Sequence, residues 1–145
     1  MRRLLVSACL LGFDCKYCGG NNALGDKTRR ALREKWALVP VCPEVSGGLP
    51  VPREPSERRG TRVVSRTGRD VTAEFSRGAD TACRLCERFG CTAALLKENS
   101  PSCGSGRIYD GSFSGTLIAG DGLTAERLRR RGVELLGESE IEELL

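Results

Sequence analysis

A mainly parallel α/β fold is what this sequence predicts, and two observations predict it. Residues 3–8, 37–41, 92–96 and 133–136 are short apolar runs with little alternation. Such runs read as strands buried on both faces. Helical patterns fall between them, and strands alternating with helices build a parallel sheet covered by helices. The 145 residues suit one domain, 1–145, with no repeat or linker dividing it.

Each element has its own signal. Two arginines, a short apolar run and a small residue before Cys9 imitate a lipoprotein leader. The run from Leu4 to Ala8 is shorter than the ~7–15 apolar residues such a leader needs, so a first strand is expected instead. Asp26 is a candidate cap for a helix over residues 27–36, with Ala31, Leu32 and Trp36 available to the core. The second strand follows over residues 37–41, although Pro40 lacks a backbone donor. Residues 43–60 are rich in Pro, Gly and Arg and read as a loop. Residues 63–71 read as a small hairpin around Thr67-Gly68.

The next helix is the clearest element. Thr72 is its candidate cap, Phe75, Ala79, Ala82, Cys86 and Phe89 form one apolar stripe, and Gly90 stands where a helix ends. Residues 92–96 give the third strand. Residues 99–115 form a Gly/Ser-rich loop with a tight turn at Asp110-Gly111. Thr124 is a candidate cap for a helix ending near Gly132. Residues 133–136 give the fourth strand, and Ser139 with Glu142 fits a capping box for a short last helix.

Composition narrows the function. No apolar run approaches the ~20 residues that cross a bilayer, so no membrane partner is expected. Nineteen arginines stand against four lysines, a bias that suits anionic ligands. The charge is scattered rather than gathered in one tract, so stable duplex DNA binding is not indicated. Eight cysteines and no histidine are the unusual feature. In a reducing cytoplasm, where this chain is expected to reside, cysteine groups more often mean metal or redox chemistry than disulfides. Without histidine, any metal must be held mainly by thiolate.

Position sorts the cysteines. Cys9 follows the first strand, Cys42 follows the second, and Cys103 lies in the loop after the third. Ligands of open α/β sheets bind beyond the carboxyl ends of the strands, so three remote thiols are expected at one edge. Cys86 belongs to the apolar stripe and reads as core packing, Cys83 reads as packing or an unused surface thiol, and Cys91 reads as structural. Cys15 and Cys18 form a Cys-x-x-Cys pair after the first strand. Together with Cys83 and Cys86 it leaves a four-cysteine zinc site as a competing reading.

Three segments carry a resemblance. They are Val6-Ser-Ala-Cys9-Leu-Leu-Gly12, the run from Val41 through Cys42-Pro-Glu44-Val-Ser-Gly-Gly-Leu-Pro-Val-Pro to Arg53, and the run from Lys97 through Ser100-Pro-Ser102-Cys103 to Gly111. Together they resemble the thiouracil desulfidase family, over nearly the whole chain and in order. The resemblance implies a Rossmann-like, three-layer α/β domain whose [4Fe–4S] cluster is held by Cys9, Cys42 and Cys103. It also implies a catalytic glutamate at Glu44 and a catalytic serine at Ser100 or Ser102, of which Ser100 is preferred here. Where family members tend to carry an aspartate before the Gly pair, this sequence has Cys18, and Cys15 is extra.

Electron-transfer clusters use four cysteine ligands. A cluster on three keeps an exchangeable iron, which is a Lewis acid with an affinity for sulfur. The expected activity is removal of sulfur from a thiolated base or nucleotide, with Arg53 and Arg107 as candidates for a substrate phosphate. A fourth thiolate from Cys15 or Cys18 would close the iron. That would favour a sensor or sulfur-carrier module, and zinc on the two Cys-x-x-Cys pairs would favour an interaction module.

Overall fold

The computed structural model describes residues 1–145. The chain runs through β1 (Arg2–Ser7), a 3-10 helix (Ala8–Leu11), α1 (Asp26–Lys35), β2 (Trp36–Val41) and the one-turn α2 (Pro43–Ser46). It continues through β3 (Ser56–Arg59), β4 (Arg62–Ser65), α3 (Thr72–Phe89) and β5 (Ala93–Leu96). It ends with β6 (Arg107–Tyr109), β7 (Leu117–Ala119), α4 (Leu123–Arg130), β8 (Glu134–Gly137) and a second 3-10 helix (Glu138–Leu144).

The four expected strands form one parallel sheet in the order β2-β1-β5-β8. Alternate side chains of the central strands feed opposite layers. Leu5, Ala94 and Leu96 pack with Ala82, Cys83 and Cys86 of α3 and with Ala125 and Leu128 of α4. Leu4, Val6 and Leu95 pack with Leu32 of α1, Trp36 and Leu144. The result is the expected three layers, helix–sheet–helix. Full burial of a leucine is worth ~1.5–3 kcal/mol, so both layers hold the sheet. Pro40 is tolerated because β2 is an edge strand, paired only to β1.

β1 has β2 on one side and β5 on the other, so the chain leaves it in opposite directions. The carboxyl ends of β1 and β5 flank the switch point where such sheets bind ligands.

Several local expectations shift. Gly25, Val71 and Gly122 occupy the cap positions, so Asp26, Thr72 and Thr124 each lie just inside their helices. Thr72 instead uses its hydroxyl oxygen to accept from the Val63 N–H at 2.9 Å, and Asp70 accepts from the Thr72 N–H. The residue 63–71 turn exists, with a Val64–Asp70 bridge, but the regular hairpin is β3–β4 just before it. A further hairpin, β6–β7, was not apparent in the sequence, and Asp110-Gly111 opens its long loop rather than a two-residue turn. The last capping contact runs from the Gly137 N–H to Glu140, not between Ser139 and Glu142. Phe89 is exposed at the end of its stripe, and Gly90 closes α3 in the left-handed conformation as expected.

Candidate active site

Cys9, Cys42 and Cys103 line one cavity of about 600 Å³ at the carboxyl ends of β1, β2 and β5. Cys9 sits in the 3-10 helix that β1 runs into, and the Asn22 N–H donates to its carbonyl at 3.0 Å. Cys42 is the cap residue of α2, where Pro43 at the first position needs no donor of its own. Cys103 hangs in the loop after β5. The first amides of α4 hold that loop: Leu123 N–H donates to Pro101 O at 3.0 Å, and Thr124 N–H to Ser102 O at 2.9 Å. Those amides would otherwise be orphans at a helix start, so loop and helix satisfy one another.

Burial dominates the thiols. It pushes Cys103 up to about 12, opposed by the hydroxyls of Ser7 and Ser102 and reinforced by Cys9 and Cys42. Burial also raises Cys9, opposed by the Asn22 side chain and reinforced by Cys42. The three thiols therefore sense each other. No three Cys, Asp or Glu side chains close around a position for one ion. Three converging but separated thiols on a roomy cavity fit a polynuclear iron–sulfur cluster, whose irons each take their own cysteine.

Cys15 lines the same cavity, and Cys18 does not. Cys15 is pushed up to about 12 by burial first, then by Cys42 and Cys9. The Cys42 thiol approaches the Cys15 carbonyl at 3.8 Å. Cys18 is exposed, whereas Cys83, Cys86 and Cys91 are buried together against the sheet. The two Cys-x-x-Cys pairs do not meet, so the zinc reading loses its geometry.

Glu44 projects into the cavity from the first turn of α2 with both oxygens engaged. Arg53 Nε donates to Oε1 at 3.0 Å, and Ser102 Oγ donates to Oε2 at 3.0 Å. Ser102 Oγ also lies 3.7 Å from Cys103 Sγ and 3.0 Å from Ser100 Oγ. A hydroxyl has one proton, and the charge-assisted bond to the carboxylate is the stronger use of it. Ser100 is then the donor to Ser102, giving a chain from Ser100 through Ser102 to Glu44. Ser100 Oγ also accepts from the N–H groups of Ser102 and Cys103, at 3.2 and 3.1 Å. Arg107 is exposed on β6 and does not reach the cavity, while Arg53 lines it.

Other groups at the site were not singled out in the sequence. Ser7 and Asn22 face the cysteines, and Ser7 Oγ accepts from the Lys97 N–H at 2.9 Å, tying β1 to β5. Asn99 and Phe113, the two non-glycine residues with positive φ, both line the cavity. Ser7 lies inside the first motif. Asn99 lies inside the third, and Asn22 and Phe113 carry no local pattern that marks them.

Residues 4–140 match the 2-thiouracil desulfurase family. The chain belongs to that family. Among solved structures, one described as the [4Fe-4S]-dependent thiouracil desulfidase TudS is 49% identical, with a TM-score of 0.94 over 99% of this chain and 95% of that one. The Uncharacterized protein YbbK of Bacillus subtilis (strain 168) is 40% identical over 152 residues, which is 98% of this chain and 99% of that protein. The expected family and α/β fold therefore stand. No helix is long and apolar enough to cross a membrane.

Proposed function

We propose that this chain is a [4Fe–4S]-dependent desulfidase that releases sulfur from a thiolated pyrimidine as hydrosulfide. One observation carries the reading: three cysteines remote in sequence share a cavity with a carboxylate whose oxygens are both held. Cys9, Cys42 and Cys103 would hold the cluster. When bound, the cluster supplies an open iron, a Lewis acid that attracts a thiocarbonyl sulfur and polarises its C–S bond.

This chain's residues supply the proton chemistry. Glu44 accepts a proton from the water that attacks the thiocarbonyl carbon, and Ser102 orients its second oxygen. Ser100, at the far end of the hydroxyl chain, returns a proton as the C–S bond breaks. The substrate is a thiolated base, nucleoside or nucleotide. Of the two arginines expected to meet a phosphate, Arg107 lies outside the cavity, and Arg53 lines it with its nitrogens turned to Glu44, Pro50 and Cys15 rather than to a substrate. We place its action in a reducing cytoplasm, where a histidine-free chain with eight cysteines suits cluster chemistry rather than disulfides, with residues 1–145 working as one domain.

The test is anaerobic purification followed by iron, acid-labile sulfide and turnover. The reading expects about four iron and about four sulfide per chain. It also expects conversion of 2-thiouracil or a thiouridine to its oxygen analogue with one hydrosulfide released. Cluster-loaded protein that converts none of these substrates sinks the enzyme reading and leaves the sensor or carrier module.

A further inference from the structure

Arg53 closes the second motif, nine residues beyond Glu44, and its guanidinium is almost wholly withdrawn from solvent: the side chain is 7% exposed. All its nitrogens have work. Nε donates to Glu44 Oε1 at 3.0 Å, Nη1 to Pro50 O at 3.2 Å, and Nη2 to Cys15 O at 2.9 Å. Its backbone N–H donates to Tyr17 O at 2.8 Å. One side chain thus fastens the carboxylate of α2 to the segment after β1. The Cys15 carbonyl that it grips is also the one facing the Cys42 thiol.

This is more than an ion pair. Glu44 reaches out from a one-turn helix on a side chain with three rotatable bonds, and Ser102 alone would leave its carboxylate free to swing about the Oε2 contact. Fixing Oε1 from a second direction removes that freedom. A planar guanidinium can do this while holding two carbonyls at once, whereas an ammonium is a single point of charge.

We infer that Arg53 is a positioning residue for Glu44, aiming its carboxylate and bracing the Cys15 segment beside Cys42. The inference rests on the desulfidase reading, since it gives Arg53 a role only through the base of that reaction. A misplacement of about 1 Å in a reacting group can lower turnover roughly 10²-fold.

The experiment compares R53Q, R53K, E44Q and the two doubles R53Q/E44Q and R53K/E44Q as anaerobically loaded full-length protein. It measures 2-thiouracil turnover together with iron and acid-labile sulfide. In R53Q, kcat is expected to fall about 10²-fold with KM changed less than about threefold and the cluster retained. R53K should recover part of that loss, because it restores charge at Glu44 but not the grip on the carbonyls. In the E44Q background the Arg53 change should cost less than about twofold, since residues that act as a unit are not additive. Independent, multiplying losses overturn the inference, as does a loss carried by KM alone. Loss of iron and sulfide in both Arg53 single variants overturns it too, by making Arg53 a cluster-retention residue. Should R53Q fail to fold, R53K against R53K/E44Q makes the same test. Wild-type protein that is loaded yet inactive brings down the desulfidase reading itself. An active wild type with additive variants brings down Arg53 alone.

Discussion

Gly78→Ala tests whether the active site depends on one backbone contact made by a residue outside the cavity. Gly78 lies mid-way along α3, where a Cβ would stand 1.8 Å from the carbonyl oxygen of Pro43. On the other side of the contact, a Cβ on Gly47 would stand 1.9 Å from Glu74 O. Helix α2 therefore lies directly on α3, backbone against backbone, and α2 carries Glu44 with Cys42 at its cap. Restoring an ordinary 3.4 Å contact would need α2 to retreat by well over 1 Å. Alanine in a helix interior gains up to about 1 kcal/mol over glycine. Overpacking a filled site costs ~1–3 kcal/mol, so the net expected effect is a modest loss of stability. For a domain of this length that lowers Tm by a few degrees, roughly 2–6 °C. The effect on chemistry should be larger. A displacement above 1 Å at Glu44 predicts a loss of about 10²-fold in kcat. The assay pairs a thermal melt with turnover and iron content of the same anaerobic sample. Wild-type turnover in a folded Gly78→Ala protein would refute the claim that this contact sets the position of Glu44.

Four other outcomes are expected. Glu44→Gln should lower kcat by ~10²–10⁴ while iron and sulfide stay near wild type, and loss of the cluster would reassign Glu44 to structure. Ser102→Ala should cost more than Ser100→Ala, because of the two serines only Ser102 touches the carboxylate, and the reverse order in kcat would break the proposed chain. Cys103→Ala should abolish iron retention after anaerobic reconstitution, whereas Cys18→Ala should leave it unchanged, both read by iron content. Burial lifts Cys86 to about 11, with Cys91 and Cys83 adding to it, so the folded thiol holds its proton where an unfolded one with a pKa near 9 has lost it. Below pH 9 both states are protonated and stability is unaffected; between 9 and 11 unfolding gains from ionisation, so the apoprotein's urea midpoint should fall over that window.

Much of the architecture could be read from the chain because burial leaves a mark on composition. β1 and β5 are central, and their apolar stretches, Leu4 to Val6 and Ala93 to Leu96, are buried on both faces. Cys9, Cys42 and Cys103 could be assigned to one edge because each follows a strand of the same parallel sheet. Local capping was less legible. Each expected cap stands one or two positions inside its helix, because the chain turns into the helix at Gly25, Val71 and Gly122 instead. β6 and β7 have three residues each, and Ile118 is exposed, so neither carries an alternating pattern. The hydrogen bonds that shape the site were out of reach for another reason. Ser102 meets Glu44 across 58 positions and Arg53 meets Cys15 across 38, and no local periodicity encodes such pairs.

The site also shows how loops can be made precise enough for chemistry. Glu44, Ser100, Ser102 and Arg53 lie outside the central sheet, on a one-turn helix and in loops, where connecting segments are ordinarily mobile. Glu44 and the two serines are tied to regular elements by backbone contact, and Arg53 is tied through its backbone to the Tyr17 turn. α2 presses on α3 through Gly47 and Gly78, and the serine loop takes the first amides of α4. At that second junction a Cβ on Gly122 would stand 2.5 Å from the Ser102 carbonyl carbon. The cysteines therefore set what the site can bind, while glycines outside the cavity set how closely its acid–base groups are held. On this view Gly122 should be as intolerant of a side chain as Gly78, although neither can touch a substrate.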